Sequence, residues 1–184
     1  MAQAASPTAT TFSLRVSIAV DDAGKPLARP EWLAAELEAA QVLFVPFGVR
    51  FTKTDGPALD ARLAHVETRA DRDALAMRVA PHVVDVFVVD SLRDVDDTSQ
   101  MRRGVHWHAP SGVHYLILVA SAPTTVLAHE LGHYFGNPHS HVIDNVMSYE
   151  RSGAPVFFDA DQGKRIAAKA RDYVRSGELL PVTP

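Results

Sequence analysis

The sequence predicts an α/β domain in which helices cover a β-sheet. Segments 83–89 and 113–119 are dense in Val, Ile and Leu, as expected of strands that are buried on both faces. Segments 31–44 and 159–176 instead repeat their apolar residues at the spacing of a helix with one buried face. These strands and helices alternate along 184 residues, a length that suits one domain with a core large enough to be stable alone.

The other elements follow from local patterns. Segment 12–20 alternates apolar and polar residues, which predicts a strand with one buried face. Pro30 suits the first turn of the helix at 31–44, and Pro123 is expected to open another helix. Shorter elements are predicted in the same way: strands at 49–53 and 104–108, and one or two helical pieces near 57–65 and 69–79.

Composition excludes several kinds of partner. Lys and Arg total 18 against 22 Asp and Glu, a net charge of −4, so there is no electrostatic case for nucleic acid or an anionic membrane. No apolar run approaches the length of a membrane span. The absence of cysteine excludes disulfides and ligation of zinc by thiolates. We expect a monomer that binds neither nucleic acid nor membrane.

The first residues predict a mobile tail. Residues 1–11 are small and polar, and they lack the basic start and apolar stretch of a signal peptide. We therefore expect a disordered tail at 1–11 and a single folded domain at 12–184. The protein is expected to be secreted or extracytoplasmic if a leader has been removed, and cytoplasmic otherwise.

The most informative stretch reads HELGHYFGNPH from His129 to His139. Residues four apart lie on one face of a helix, so His129 and His133 can direct two imidazoles at one point. Imidazole nitrogen is a good zinc ligand, and at pH 7 it needs little proton loss to bind. Glu130 lies between the two histidines and is positioned to take a proton from a metal-bound water.

A third ligand requires the helix to end. Gly136 tolerates the left-handed conformation that ends a helix, and Pro138 prevents the chain from returning to helix. The turn would bring His139 to the metal, whereas the alternative ligand His141 has a less suitable offset from Gly136. Three protein ligands leave the fourth position of a tetrahedral zinc to water, which is typical of a catalytic site.

The stretch resembles the signature of the metzincin clan of metallopeptidases, which joins H-E-x-x-H-x-x-G-x-x-H to a Met-containing turn. Met147 follows His139 by eight residues, and the resemblance implies that it forms an apolar floor under the metal without binding it. Tyr149 matches the Met-x-Tyr form of astacin-like and serralysin-like members, in which the tyrosine hydroxyl approaches the zinc or the oxyanion. Ser140 is matrixin-like, and the short link from His139 to Met147 is similar to pappalysin-like and other compact bacterial members.

The resemblance implies a metzincin-like domain with a twisted mixed sheet of about five strands, a backing helix, a zinc-binding helix and a C-terminal helix. It also implies hydrolysis of peptide bonds at one catalytic zinc ion, with Glu130 as general base. A peptide substrate would lie along the edge strand of the sheet, for which 104–108 is the candidate. Two alternatives stay open: a zinc-containing peptide-binding module without turnover, and a zinc hydrolase of another amide.

Two polar groups lie outside the motif. Three histidines are close in sequence, and the first two share one face if 104–108 is a strand: His106, His108 and His114. They are either edge-strand histidines near the cleft or a second zinc site. Segment 94–97 contains three aspartates that could collect a calcium ion, but a solvated loop is favoured because no glycine or bidentate glutamate completes a known calcium loop.

Overall fold

The computed structural model describes residues 9–182, in which a β-sheet is flanked by helices. The strands, numbered in chain order, are β1 (Thr10–Ile18), β2 (Val49–Asp55), β3 (His65–Val66), β4 (Val84–Val89), β5 (Ser91–Leu92), β6 (Gly104–His108) and β7 (His114–Val119). The α-helices are α1 (Pro30–Phe44), α2 (Arg69–Ala74), α3 (Val126–Tyr134) and α4 (Ala160–Ser176). The predicted α/β class is confirmed.

Five strands form one mixed sheet in the order β2-β1-β4-β7-β6. Neighbours pair in parallel, except that β6 pairs antiparallel with β7 and forms one edge of the sheet. β3 and β5 form a separate two-stranded parallel sheet. The prediction of about five strands is confirmed, and the segment expected at the edge, 104–108, is an edge strand with the predicted bounds.

Burial on both faces explains the continuous apolar patterns of the central strands. Every residue of β4 is buried, and so is β7 apart from its first residue. One face packs on α1, α3 and α4 through side chains such as Phe44, Leu127 and Ile166. The opposite face is covered by Leu59 and Leu75 from the segment between β2 and β4. α3 therefore lies on the sheet between α1 and the edge strand β6.

The helix that Pro123 was expected to open begins three residues later, at Val126. Thr125 precedes it with φ +93° and makes no side-chain cap. The cap comes instead from α1, where the buried carboxylate of Glu36 accepts the backbone N–H groups of Thr125 and Leu127 at 3.1 and 3.0 Å. The ionised form of this group would also interact favourably with the positive end of the helix dipole.

Segment 57–79 contains less helix than its alanine content predicts. The predicted piece at 69–79 is helical, since α2 continues into a 3-10 helix at Leu75–Arg78. Thr68 and Asp71 close the N-terminus of α2 with a reciprocal capping box. At 57–65 the only helix is a 3-10 turn at Ala61–Leu63. The chain is extended around Leu59, which donates its backbone N–H to Ile18 and accepts that of Val20. This pairing with the end of β1 overrides the local preference for helix.

β1 begins and ends two residues before the predicted strand at 12–20. Thr10 and Thr11 therefore belong to the sheet, while residues 1–8 of the expected tail lie outside the described residues. Within residues 9–182, none of the helices combines the length and the apolar character that crossing a bilayer requires.

Candidate metal centre

Three histidines converge at the end of α3. The ligating nitrogens of His129, His133 and His139 all lie within 4.8 Å of one another. His129 and His133 are one helical turn apart, and His139 returns from the following loop so that its Nε2 lies 3.1 Å from Nε2 of His133. Among the described residues, the alternative ligand His141 is not part of this group.

The return of His139 depends on how α3 ends. Gly136 has φ +86°, a left-handed conformation that glycine adopts without steric cost. Its N–H bonds to the carbonyl of His133, and the N–H of Asn137 bonds to the carbonyl of Gly132, each at 2.9 Å. This paired pattern is a Schellman motif, which reverses the chain and carries His139 back toward the helix.

Backbone carbonyls orient two of the three imidazoles. Nδ1 of His129 donates to the carbonyl of Val146 at 2.7 Å, and Nδ1 of His133 donates to that of Asn137 at 2.8 Å. Each ring therefore keeps an unprotonated Nε2, the tautomer that a metal ligand needs. Burial lowers the pKa of His129, and it lowers that of His133 to about 4, so both rings are neutral at pH 7.

Glu130 is buried between α3 and the edge strand, with only 6% of its surface exposed. It lies opposite Gly104 of β6, whose missing side chain leaves room for its carboxylate. Burial raises the pKa of Glu130 to about 8, although the backbone N–H of His106 works in the opposite direction. A divalent cation at the histidines would also favour the carboxylate and bring this pKa down.

Tyr149 borders the same point from solvent. Its hydroxyl lies 2.8 Å from Nε2 of His139, and 69% of its surface is exposed. Burial of the hydroxyl end raises its pKa, so the group is protonated at neutral pH and is able to donate a hydrogen bond.

Met147 is fully buried and follows Val146, whose carbonyl accepts the hydrogen bond of His129. Its sulfur packs where a Cβ would project from Gly132, the residue just before His133. The side chain of Asn145 holds the turn by accepting the N–H of Met147 at 2.9 Å, and it exchanges two hydrogen bonds with Gln162 of α4. The turn is thus tied both to α3 and to the last helix.

A cleft of about 430 Å³ opens over the histidines. One of its walls is the edge strand, represented by His106, Trp107 and His108. An adjoining cavity of about 580 Å³ shares Glu130 and Tyr149 with the cleft and has a largely apolar lining.

The aspartates at 94–97 do not form a free cation site. Asp94 is buried, and its carboxylate accepts the N–H groups of Asp96 and Asp97 at 2.8 and 3.2 Å. It also pairs with the guanidinium of Arg102, whose Nε lies 2.6 Å away. Because groups of the protein already occupy the hydrogen-bonding positions of this carboxylate, the structure does not support the bound calcium ion that the sequence left as an alternative.

Sequence reasoning missed Glu36, Gly104 and Arg102, although each of them shapes the site. Glu36 caps the helix that carries two of the histidines. Gly104 makes space for Glu130, and Arg102 lines the cleft while it holds the 94–97 loop. All three act on residues of other elements, so no motif in the surrounding sequence identifies them.

The fold is similar to that of two solved proteins. Metalloproteinase-II from Bacteroides fragilis matches with a TM-score of 0.59 at 15% identity, over 91% of this chain and 55% of that chain. Archaemetzincin from Methanopyrus kandleri matches with a TM-score of 0.58 at 15% identity, over 92% of this chain and 99% of that chain. The chain therefore spans about half the length of the first protein. No protein-family model and no curated protein matches the sequence.

Proposed function

We propose that this chain is a zinc-dependent endopeptidase of the metzincin type. The observation that carries the proposal is the convergence of His129, His133 and His139 beside the buried carboxyl group of Glu130. The likeness in fold to a metalloproteinase and to archaemetzincin supports it. The family within the clan is left open, because the matches are distant.

The donor set fits zinc. It consists of three imidazoles, and hydrogen bonds to backbone carbonyls leave Nε2 of His129 and His133 free to bind. His139 supplies the third nitrogen, and three protein ligands are typical of catalytic zinc. When bound there, zinc would lower the pKa of a water molecule to about 7 and polarise the scissile carbonyl.

Glu130 is the general base in this proposal. It would accept a proton from the attacking water and then deliver it to the leaving amine. Its burial strengthens electrostatic interactions at the carboxylate, because little solvent screens them. The hydroxyl of Tyr149 would donate to the oxyanion that develops on the substrate carbonyl. Met147 supports the histidines from below, and Gly136 provides the turn that returns His139.

Polypeptide is the proposed substrate because of the edge strand. β6 pairs with β7 along one side, and its other side borders the cleft over the histidines. An extended peptide can add to such an edge through main-chain hydrogen bonds. This addition would hold a scissile bond near Glu130 and would allow cleavage within a polypeptide chain.

The test is hydrolysis of a quenched-fluorescent peptide pool by the purified chain. We expect cleavage to stop when a chelator removes the metal and to return when zinc is added. Glu130→Gln should lower kcat by roughly 10²–10⁴-fold, the usual contribution of general acid–base catalysis, while zinc content stays unchanged. Glu150→Gln, which alters an exposed carboxylate near the site, is the matched control and should retain full activity.

Two outcomes would contradict the proposal. Cleavage that survives removal of the metal would exclude zinc-dependent chemistry, and wild-type turnover by Glu130→Gln would exclude the assigned general base. Binding of peptides and zinc without any cleavage would favour a zinc-containing peptide-binding module. Cleavage of other amides but not of peptides would favour a different zinc hydrolase.

A further inference from the structure

A second group of three histidines lies on the hairpin formed by β6 and β7. The ligating nitrogens of His106, His108 and His114 lie within 4.8 Å of one another. His108 is paired directly with His114 across the two strands, and His106 is two residues before His108 on the same face of β6. The hairpin register therefore brings three imidazoles to one point.

Packing against α3 holds two of these rings. His114 stacks on Tyr134 with ring centroids 4.2 Å apart and an interplanar angle of 14°. His106 contacts the same tyrosine at 5.2 Å between centroids. His108 stacks on His114 at 5.1 Å and is itself exposed. Two rings that pack against Tyr134 and one exposed ring form a site that is accessible from solvent.

Hydrogen bonds orient a nitrogen toward the centre of this group. Nε2 of His114 donates to Oε1 of Glu178 at 2.6 Å, which leaves Nδ1 of His114 without a proton. That Nδ1 lies 2.7 Å from Nε2 of His106. A carboxylate that accepts a proton from the outer nitrogen of an imidazole is the usual partner of a metal-binding histidine.

We propose that His106, His108 and His114 bind a second divalent transition-metal ion, independently of the group on α3. Sites built only from imidazole favour zinc, copper or nickel over calcium or magnesium. Zinc–nitrogen bonds of about 2.0–2.1 Å place two tetrahedral ligands roughly 3.3 Å apart. Nδ1 of His114 and Nε2 of His106 would therefore have to separate by roughly 0.6 Å. His106, which donates the hydrogen bond between these two nitrogens, would also have to carry its proton on Nδ1 instead of Nε2.

This ion would stabilise the wall of the cleft. It would join β6 to β7 and, through Glu178, to the segment that follows α4. The same part of β6 carries Gly104, which contacts Glu130, and the backbone N–H of His106, which faces that carboxylate. Zinc binding at these three histidines can be measured whether or not the chain hydrolyses peptides.

Zinc stoichiometry tests the proposal. The metal-free full chain is titrated with zinc against a chromophoric chelator of known affinity, and two equivalents are expected per chain. His108→Ala and His139→Ala remove the exposed member of each group, so each should retain one tight site. His141→Ala changes an exposed histidine outside both groups and should retain two. Far-UV circular dichroism confirms that each variant is folded.

Two more measurements separate this site from the one on α3. In the His139→Ala background, added zinc should raise the melting temperature, and it should not do so in the variant that also carries His108→Ala. Glu178→Gln should weaken only the second site, by roughly 10–100-fold. A single equivalent in the wild type that His139→Ala abolishes, or two equivalents in His108→Ala, would overturn the proposal. His106 and His114 would then be a hydrogen-bonded pair without a metal.

Discussion

Gly104 of the edge strand and Glu130 of α3 are in such close contact that no side chain fits between them. A Cβ atom on Gly104 would lie 2.9 Å from both Cγ and Oε1 of Glu130, and 2.7 Å from Cγ1 of Val126. Real Cβ atoms essentially never approach heavy atoms this closely. The edge strand therefore determines where the carboxylate of Glu130 can lie.

Gly104→Ala is expected to displace Glu130 and to lower kcat by roughly 10²-fold, since a shift of about 1 Å in a catalytic group has effects of this size. Zinc content should stay at the wild-type value because the three atoms nearest to the new methyl group belong to Val126 and Glu130, and none belongs to a histidine. The double variant with Val126→Ala is the control, because it relieves only the clash with valine. Full recovery of kcat in that variant, or no loss in the single one, would contradict the assigned cause.

Tyr149→Phe is expected to lower kcat by roughly 10²-fold with little change in KM, as removal of one oxyanion donor does. The reason is the position of its hydroxyl, 2.8 Å from Nε2 of His139. Steady-state kinetics and zinc content are measured together. If the variant loses zinc as well as activity, the hydroxyl is a metal ligand; if kcat is unchanged, the tyrosine has no role in the reaction.

Gly132→Ala is expected to destabilise the fold by about 1–3 kcal/mol, the range for overpacked cores. The new Cβ would overlap the sulfur of Met147, which is fully buried. Met147→Ala should itself cost about 2–5 kcal/mol because it leaves a cavity. The double variant should lose less than the sum of the two, since each change relieves the other. Additive losses in chemical denaturation would show that the two positions do not interact.

Glu36→Gln is expected to change how stability depends on pH. Burial raises the pKa of Glu36 from 4.5 to about 7, so between these pH values the folded chain holds a proton that the unfolded chain releases. The free energy of unfolding of the wild type should therefore fall as pH rises through this window, by up to about 3 kcal/mol for this group. Glutamine cannot ionise, and the variant should lack this part of the slope.

Chemical denaturation at pH 5 and pH 8 measures how the free energy of unfolding of the wild type and of Glu36→Gln depends on pH. The change in free energy of unfolding between these pH values is compared for the wild type and Glu36→Gln. Since both proteins contain the same histidines, the difference between them reports the Glu36 carboxyl group alone. Glu38→Gln, an exposed position on the same helix, is the matched control and should keep the wild-type slope. Parallel pH profiles for wild type and Glu36→Gln would show that the buried carboxyl does not titrate in this window.

Much of the architecture could be predicted because it follows from local periodicity. The apolar runs predict β4 and β7 to within one residue at their starts, and the edge strand has the predicted bounds. Helical spacing likewise predicts α1. The spacing of His129 and His133 puts them on one helical face whatever the remainder of the chain does. Such features depend on residues that are neighbours in the sequence.

Predictions from the sequence were wrong where a distant partner decided the local structure. The piece at 57–65 was expected to be helical, but Leu59 pairs with the end of β1 and keeps the chain extended there. α3 begins after Pro123 because its first free N–H groups are satisfied by Glu36, far away on α1. Neither contact can be recognised from the pattern of the neighbouring residues in the sequence.

The order of strands and helices along the chain and the spacing of the histidine motif follow from the residues alone, because hydrogen bonding along a helix or strand imposes its own period on the side chains. Which side chains face each other across elements depends on how the chain folds. Folding brings Gly104 against Glu130 and Glu178 against His114. Such pairings depend on how the sheet and helices pack, and the free energy of packing is shared among residues that are far apart in the chain.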